Sequence, residues 1–166
     1  SMNPRKKNAK AGYGIAEYEV TANEEKFLSA RYGKVVTSPR HSMFQGATKH
    51  TNNAGELTAL LRAVYGELEG QGRVTFVSDS MHAINTATGR TTPGRSKGNA
   101  NRLLAIRLRA AYRLLQLQRG EDIHIRHVKS HTGIRGNEAA DKLANMGADI
   151  EEGHRVVERG SAEPTR

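Results

Sequence analysis

Val128-Lys129-Ser130-His131-Thr132-Gly133, continued after Ile134-Arg135 by Gly136-Asn137-Glu138-Ala139-Ala140-Asp141-Lys142-Leu143-Ala144, is the stretch that decides how this chain is read. The glycines at 133 and 136 punctuate a polar run, which is loop chemistry. The second half places Ala140, Leu143, Ala144 and Gly147 at the spacing of one helix face. A loop histidine and an aspartate early in a helix therefore reach the same end of one element. Alone, each has an ordinary explanation. A carboxylate near a helix start is favoured by the helix dipole, and a loop histidine needs no function.

Moving upstream, Ile123, Ile125 and His127 alternate as a strand. Leu104, Leu108, Ala111 and Leu115 mark an amphipathic helix, with Arg102, Arg109 and Arg113 turned outward. Residues 88–101, rich in Gly, Thr, Asn and basic side chains, read as a loop. Val74 to Val77 is a short apolar strand ending at Ser78-Asp79. Leu57, Leu60, Leu61, Val64 and Leu68 form one helical face, with Asn53 as the expected N-cap and Gly70-Gln71-Gly72 as the stop. Further upstream, strand-like stretches cover Tyr13–Val20, Lys26–Val36 and Ser42–Lys49, with Pro39 and Gly46 as punctuation. Strands first, then helices alternating with strands, predict an α/β fold with a mixed sheet covered by helices. The tail from Ile150 is polar and is expected to be loose.

The chain has 166 residues, the size of one domain, with 36% hydrophobic and 26% charged residues. It has no cysteine, so disulfides and thiolate zinc sites are excluded and any metal must take oxygen or imidazole ligands. No apolar run approaches a membrane span, and no signal-peptide core opens the chain, so an intracellular protein is expected, in no particular compartment. The net charge is +9; residues 151–166 hold three arginines and four glutamates, a net of −1, leaving +10 on the rest. A surface of that sign attracts polyanions, though a solvated basic surface has the same composition.

Glu56 opens a helix, Asp79 ends a strand and Asp141 sits early in the last helix. Strand ends are where loops gather and ligands bind. Three carboxylates from separate elements can converge on divalent cations; hard oxygen donors suit Mg²⁺ or Mn²⁺, and a metal pair can clamp a phosphodiester for cleavage. Their neighbourhoods, Thr51-Asn52-Asn53-Ala54-Gly55-Glu56-Leu57, Ser78-Asp79-Ser80-Met81 and the stretch quoted first, occur in this order. Together they resemble type 1 ribonuclease H, including the RNase H domains attached to reverse transcriptases. The resemblance covers residues 1–148 and leaves 149–166 as a polar tail.

It implies an RNase H-like fold, a mixed five-stranded sheet flanked by helices, and a metal-dependent endonuclease acting on the RNA strand of RNA–DNA hybrids. Glu56, Asp79 and Asp141 match three of the four carboxylates that bind two Mg²⁺ ions, with Mn²⁺ as a substitute. His131 matches the mobile-loop histidine that assists proton transfer or product release. Asn52 and Asn53 match residues that touch the RNA strand, Met81 a residue facing the hybrid, Asn137 an asparagine near the metals, and Thr51 part of a DNA-phosphate pocket. Amide side chains both donate to and accept from 2′-hydroxyls, which mark RNA. A histidine titrates near working pH. Arg90, Arg95, Lys97 and Arg102 lie in a region resembling the family's basic substrate-binding segment, where phosphate contacts are electrostatic. Family members with a tryptophan there have no counterpart in this Trp-free chain. The other histidines are given no role.

The sequence also departs from the family. Ala11-Gly12-Tyr13-Gly14-Ile15 looks like the family's second strand, and the first, central strand ending in Asp-Gly is not found before it. On that alignment Val20 to Arg40 is an extra segment, and the missing aspartate is expected from an upstream segment or a partner polypeptide. On the rival alignment Tyr13–Val20 is the first strand, with Glu17 or Glu19 in place of the aspartate. The competing function is a catalytically impaired module that binds hybrid or serves a structural role; an integrase- or resolvase-type nuclease of the same fold is the third reading.

Overall fold

The computed structural model describes residues 11–92, 101–151, 153–157, 163 and 164. Strand β1 (Gly12–Val20) turns into β2 (Glu25–Lys34), and the two pair antiparallel with Tyr13 opposite Gly33 and Ile15 opposite Arg31. Helix α1 (Asn52–Glu67) and strand β3 (Val74–Ser78) follow. Helices α2 (Met81–Thr88) and α3 (Arg102–Arg119) lead through a 3₁₀ turn at Gly120–Asp122 into β4 (Ile123–His127). Helix α4 (Arg135–Asp149) and β5 (His154–Val157) complete the order. No helix among the described residues is long and apolar enough to cross a membrane.

The periodicity seen in the sequence builds the core. Leu57, Leu61 and Val64 of α1 meet Leu104, Leu108 and Leu115 of α3, with Phe76 and Ile123 from the strands beneath. Strands β3 and β4 are parallel, so their connection must cross over, and α2 and α3 make that crossover. On the other side α4 lies directly against β1. An added Cβ at Gly14 would stand 2.5 Å from the Ala140 carbonyl, so this helix and strand approach each other only because the side chain is missing.

The described strands divide into two sheets, an antiparallel β1-β2-β5 and a parallel β3-β4. The α/β class with a mixed strand set is as expected, but the five strands are not one continuous ladder. Four local expectations are corrected. Ser42–Lys49 is not a strand: Phe44 N–H bonds to the His41 carbonyl, Met43 N–H to His41 Nδ1, and Gly46 sits at φ +114°, so local turns use the backbone groups a ladder needs. The stretch from Val20 to Arg40 is no extra segment, because most of it is β2, paired directly with β1. The cap of α1 is Thr51 rather than Asn53, its hydroxyl accepting from Ala54 N–H at 3.1 Å. Within the tail, His154–Val157 pair with β2, and Glu163 accepts from Arg135 Nε at 2.7 Å.

Candidate active site

Short β3 places Asp79 immediately after its last residue, and the chain then turns sharply into α2. Ser80 makes that turn: it caps α2 by accepting from Ala83 N–H at 3.0 Å, and its own N–H bonds to Ser78 Oγ at 3.1 Å. Beside it, His127 at the end of β4 sets a ring nitrogen 3.1 Å from the Asp79 carbonyl, and Val128 N–H bonds to the Ser78 carbonyl. The main chain around Asp79 is therefore tied to its neighbouring strand. Its carboxylate is tied from a third element: Asn137, in the first turn of α4 and 8% exposed, donates Nδ2 to Asp79 Oδ2 at 3.1 Å.

Glu56 comes in from α1, half-buried. Burial holds its carboxyl above the usual carboxylate range; the Ser80 hydroxyl bond and the charge of His82 pull it back, while the charges of Asp79 and Asp141 push it further up. Asp79 and Asp141, two of the three sequence-predicted carboxylates, thus act on the third, Glu56, from beyond β3 and from α4. Among the described residues no three His, Asp or Glu side chains stand close enough to enclose a metal ion. The carboxylates meet at electrostatic range and not as a closed cage. Their chemistry still fits divalent cations: hard oxygen donors, a surplus of negative charge, and one carboxyl that its neighbours resist ionising.

Around this cluster the other expected residues fall as follows. Asn52 and Asn53 open α1 with exposed side chains, freed for outside contacts because Thr51 does the capping. Thr51 itself is exposed, its oxygen engaged in the cap and its hydroxyl proton left to donate. Met81 is 40% exposed at the start of α2. His131 lies in the β4–α4 loop, exposed, with φ +57°, a left-handed conformation that histidine tolerates better than most residues but that still costs about 1–3 kcal/mol. Thr132 Oγ1 to Lys129 O at 2.6 Å braces that loop. Arg90 and Arg102 are exposed, whereas Arg109 turns back to the Gly89 carbonyl at 3.5 Å. Arg95 and Lys97 lie outside the described residues.

Glu17 and Glu19 are exposed on the β1–β2 hairpin, where Glu17 accepts from Ser29 Oγ at 3.3 Å, and neither figures among the charges acting on Glu56. Three residues missed by the sequence reading belong to the cluster: Ser80, His82 and His127. Ser80 was legible as an N-cap before Ala83, Ile84 and Ala87, the apolar face of an α2 that the reading also missed. His82 follows Asp79 by three residues, close enough to face the same cleft once α2 exists.

The RNase H family model matches residues 1–149. Ribonuclease H of Methylococcus capsulatus is 31% identical over 121 residues, covering 72% of this chain and 75% of that protein. Ribonuclease H1 of Rattus norvegicus is 29% identical over 147 residues, covering 80% of this chain but only 48% of its own length. Among solved structures, the RNase H domain of prototype foamy virus matches with a TM-score of 0.45 at 20% identity, over 84% of this chain and 93% of that domain.

Proposed function

This chain belongs to the RNase H family, and from that membership we propose that it hydrolyses the RNA strand of RNA–DNA hybrids as a metal-dependent endonuclease. The observation that carries the proposal is Glu56, half-buried and acted on at once by Asp79 and Asp141 from two other elements. Glu56, Asp79 and Asp141 would hold two Mg²⁺ or Mn²⁺ ions. Such ions, when bound, neutralise the phosphate and supply an activated water.

The rest falls to the protein. Asn137 and the β4 contacts fix Asp79, so its carboxylate is pre-aimed and pays little reorganisation when a cation arrives. Ser80 orients Glu56. Asn52 and Asn53, exposed at the start of α1, would present amides to the 2′-hydroxyls of the RNA strand, with Thr51 and Met81 as further contacts to the hybrid. His131, exposed on the β4–α4 loop, would carry a proton between solvent and the leaving oxygen. Arg90, Arg95, Lys97 and Arg102 track phosphates on the flanking duplex.

Strands β1 and β3 each have a pairing partner on one side only among the described residues. We propose that an extended polypeptide segment outside those residues joins the two sheets there and brings the further carboxylate. With such a segment in place the outer-edge amides of both strands should resist hydrogen exchange; rapid exchange on both would remove this part of the reading.

The test of the site is Asp79→Asn. It should leave the protein folded and abolish Mg²⁺-dependent cleavage of a hybrid, since a lost ligand costs several kcal/mol of transition-state stabilisation. Retained cleavage would remove Asp79 from the machinery. A parent protein that binds hybrid but never cleaves it would favour the binding-module reading instead.

A further inference from the structure

The face of the β1-β2-β5 sheet turned toward α1 carries a second polar cluster, unconnected with the carboxylates. Its placement follows from register. Tyr13 of β1 stands opposite Gly33 of β2, and Gly33 opposite His154 of β5, so these positions form one row across the three strands. The middle position has no side chain, and the Tyr13 ring uses the space: an added Cβ at Gly33 would stand 2.7 Å from Tyr13 Oη. Arg31 precedes Gly33 by two residues and so shares its face. Its guanidinium reaches α1, with Nη2 3.0 Å from where a Cβ of Gly66 would be. One turn earlier on α1, Arg62 lays its guanidinium over the Tyr13 ring at 5.0 Å and donates Nη2 to the Met43 carbonyl at 3.0 Å.

These four side chains, Tyr13, Arg31, Arg62 and His154, line a cavity of about 50 Å³. Each ordered water needs roughly 10–15 Å³ by the same measure, so the space suits a few waters or one small polyatomic ion. Its lining is nearly all donor. Guanidinium and phenol groups offer N–H and O–H, and a guanidinium has no acceptor. Among the described residues Arg62 Nε is buried without a hydrogen-bond partner. The charges of Arg31 and Arg62 oppose each other, and both act on Tyr13, whose hydroxyl burial keeps protonated. Among the described residues neither arginine has a carboxylate partner. Two cations converging on a donor-lined hole, with one donor orphaned, leave a site short of negative charge.

We propose that Tyr13, Arg31, Arg62 and His154 form an oxyanion-binding site that takes a phosphate group. A tetrahedral oxyanion accepts on every face, matches the planar fork of arginine and relieves the repulsion between the two guanidiniums. The phosphate can be free inorganic phosphate or a backbone phosphate of a nucleic acid strand running past the domain. The cluster is distinct from the carboxylate site: Arg62 follows Glu56 by six residues, about 9 Å along α1, and on a different face of the helix.

The experiment is a thermal melt of the full chain in EDTA, titrated with sodium phosphate against sodium chloride at matched ionic strength. A saturable rise in Tm specific to phosphate is expected. Arg31→Gln, which breaks no hydrogen bond seen in the fold, should weaken apparent phosphate affinity ten-fold or more. Tyr13→Phe keeps the ring under Arg62 and should weaken it by a smaller factor. A phosphate effect equal to that of chloride, or one undiminished in Arg31→Gln, overturns the site. Repeating the titration with saturating hybrid separates the sources: loss of the phosphate effect assigns a backbone phosphate, and persistence assigns the free ion. Because cleavage is never read, failure here is distinguishable from failure of the nuclease proposal.

Discussion

Replacing Asn137 by alanine tests how the site is held together. The side chain is buried, and it donates Nδ2 to Asp79 Oδ2 at 3.1 Å. A hydrogen bond to a charged acceptor contributes about 1.5–3 kcal/mol. Two effects reduce that figure: Asp79 is partly solvated and can recover a water, and alanine is the better helix former by roughly half a kcal/mol. A net loss of about 1–2 kcal/mol remains. At roughly 2–4 °C per kcal/mol for a chain of this size, the metal-free protein should melt about 2–8 °C lower. Cleavage should suffer through kcat more than KM, because the bond aims a carboxylate and does not touch substrate; each 1.4 kcal/mol lost in the transition state is about ten-fold. Asn137→Asp sharpens the test. It sets a second carboxylate against Asp79, so it should destabilise more than alanine in EDTA and recover more with Mg²⁺ than the parent gains. An Asn137→Ala protein that melts and cleaves like the parent would refute the idea that α4 positions Asp79.

Three further outcomes follow from the same geometry. The Glu56 carboxyl is raised above its unfolded value near 4.5, so the folded state binds that proton more tightly and loses stability as pH climbs through and above that value; Glu56→Gln should therefore raise Tm in metal-free buffer at pH 7, with the gain vanishing near pH 4, and a loss at pH 7 would contradict the burial and repulsion argument. Asn52→Ala combined with Asn53→Ala should weaken hybrid binding several-fold more than duplex DNA binding in filter or anisotropy assays, because only RNA offers 2′-hydroxyls; equal losses would reduce the pair to helix-start residues. Neutralising Arg95, Lys97 and Arg102 together should flatten the log–log dependence of hybrid affinity on salt by up to about three, and an unchanged slope would move the duplex elsewhere.

What the sequence made legible was whatever a single element determines. The buried faces of α1 and α3 stood at Leu57, Leu61, Val64 and at Leu104, Leu108, Leu115, where a 3.6-residue period needs no partner to be seen. The three carboxylates stood out by their sequence neighbourhoods more than by their place in the elements: Asp79 directly follows β3, but Glu56 and Asp141 lie a turn or more inside α1 and α4 instead of opening them. Pairing was harder to read. Ser42–Lys49 has strand-like composition, but His41 and Gly46 close turns locally, and turn closure outranks weak β-propensity. β5 carries little apolar signal of its own and exists because β2 has a free edge. Thr51 displaced Asn53 as cap on a choice between neighbours that composition cannot make. His82 and Ser80 escaped notice because their relevance depends on α2 bending back over Glu56, a tertiary fact.

The same distinction explains why the carboxylate cluster costs the fold something and persists. Glu56 could lie further out, where water would screen it from Asp79 and Asp141. Instead α1 enters through a Thr51 cap that fixes its first turn, and Gly55 keeps that turn close to β1, an added Cβ there having the Gly12 carbonyl as its nearest neighbour. Ser80, held by the Ser78 hydroxyl and spent on capping α2, lends Glu56 one hydrogen bond and cannot relieve the repulsion. Asn137 does the equivalent for Asp79 with a neutral donor, where an arginine or lysine would have neutralised the charge outright. Ser80 and Asn137 hold Glu56 and Asp79 in place with neutral groups that do not cancel their charge. If the proposed cations bind here, that negative potential is what they would satisfy, and the energy withheld from folding would become available on binding.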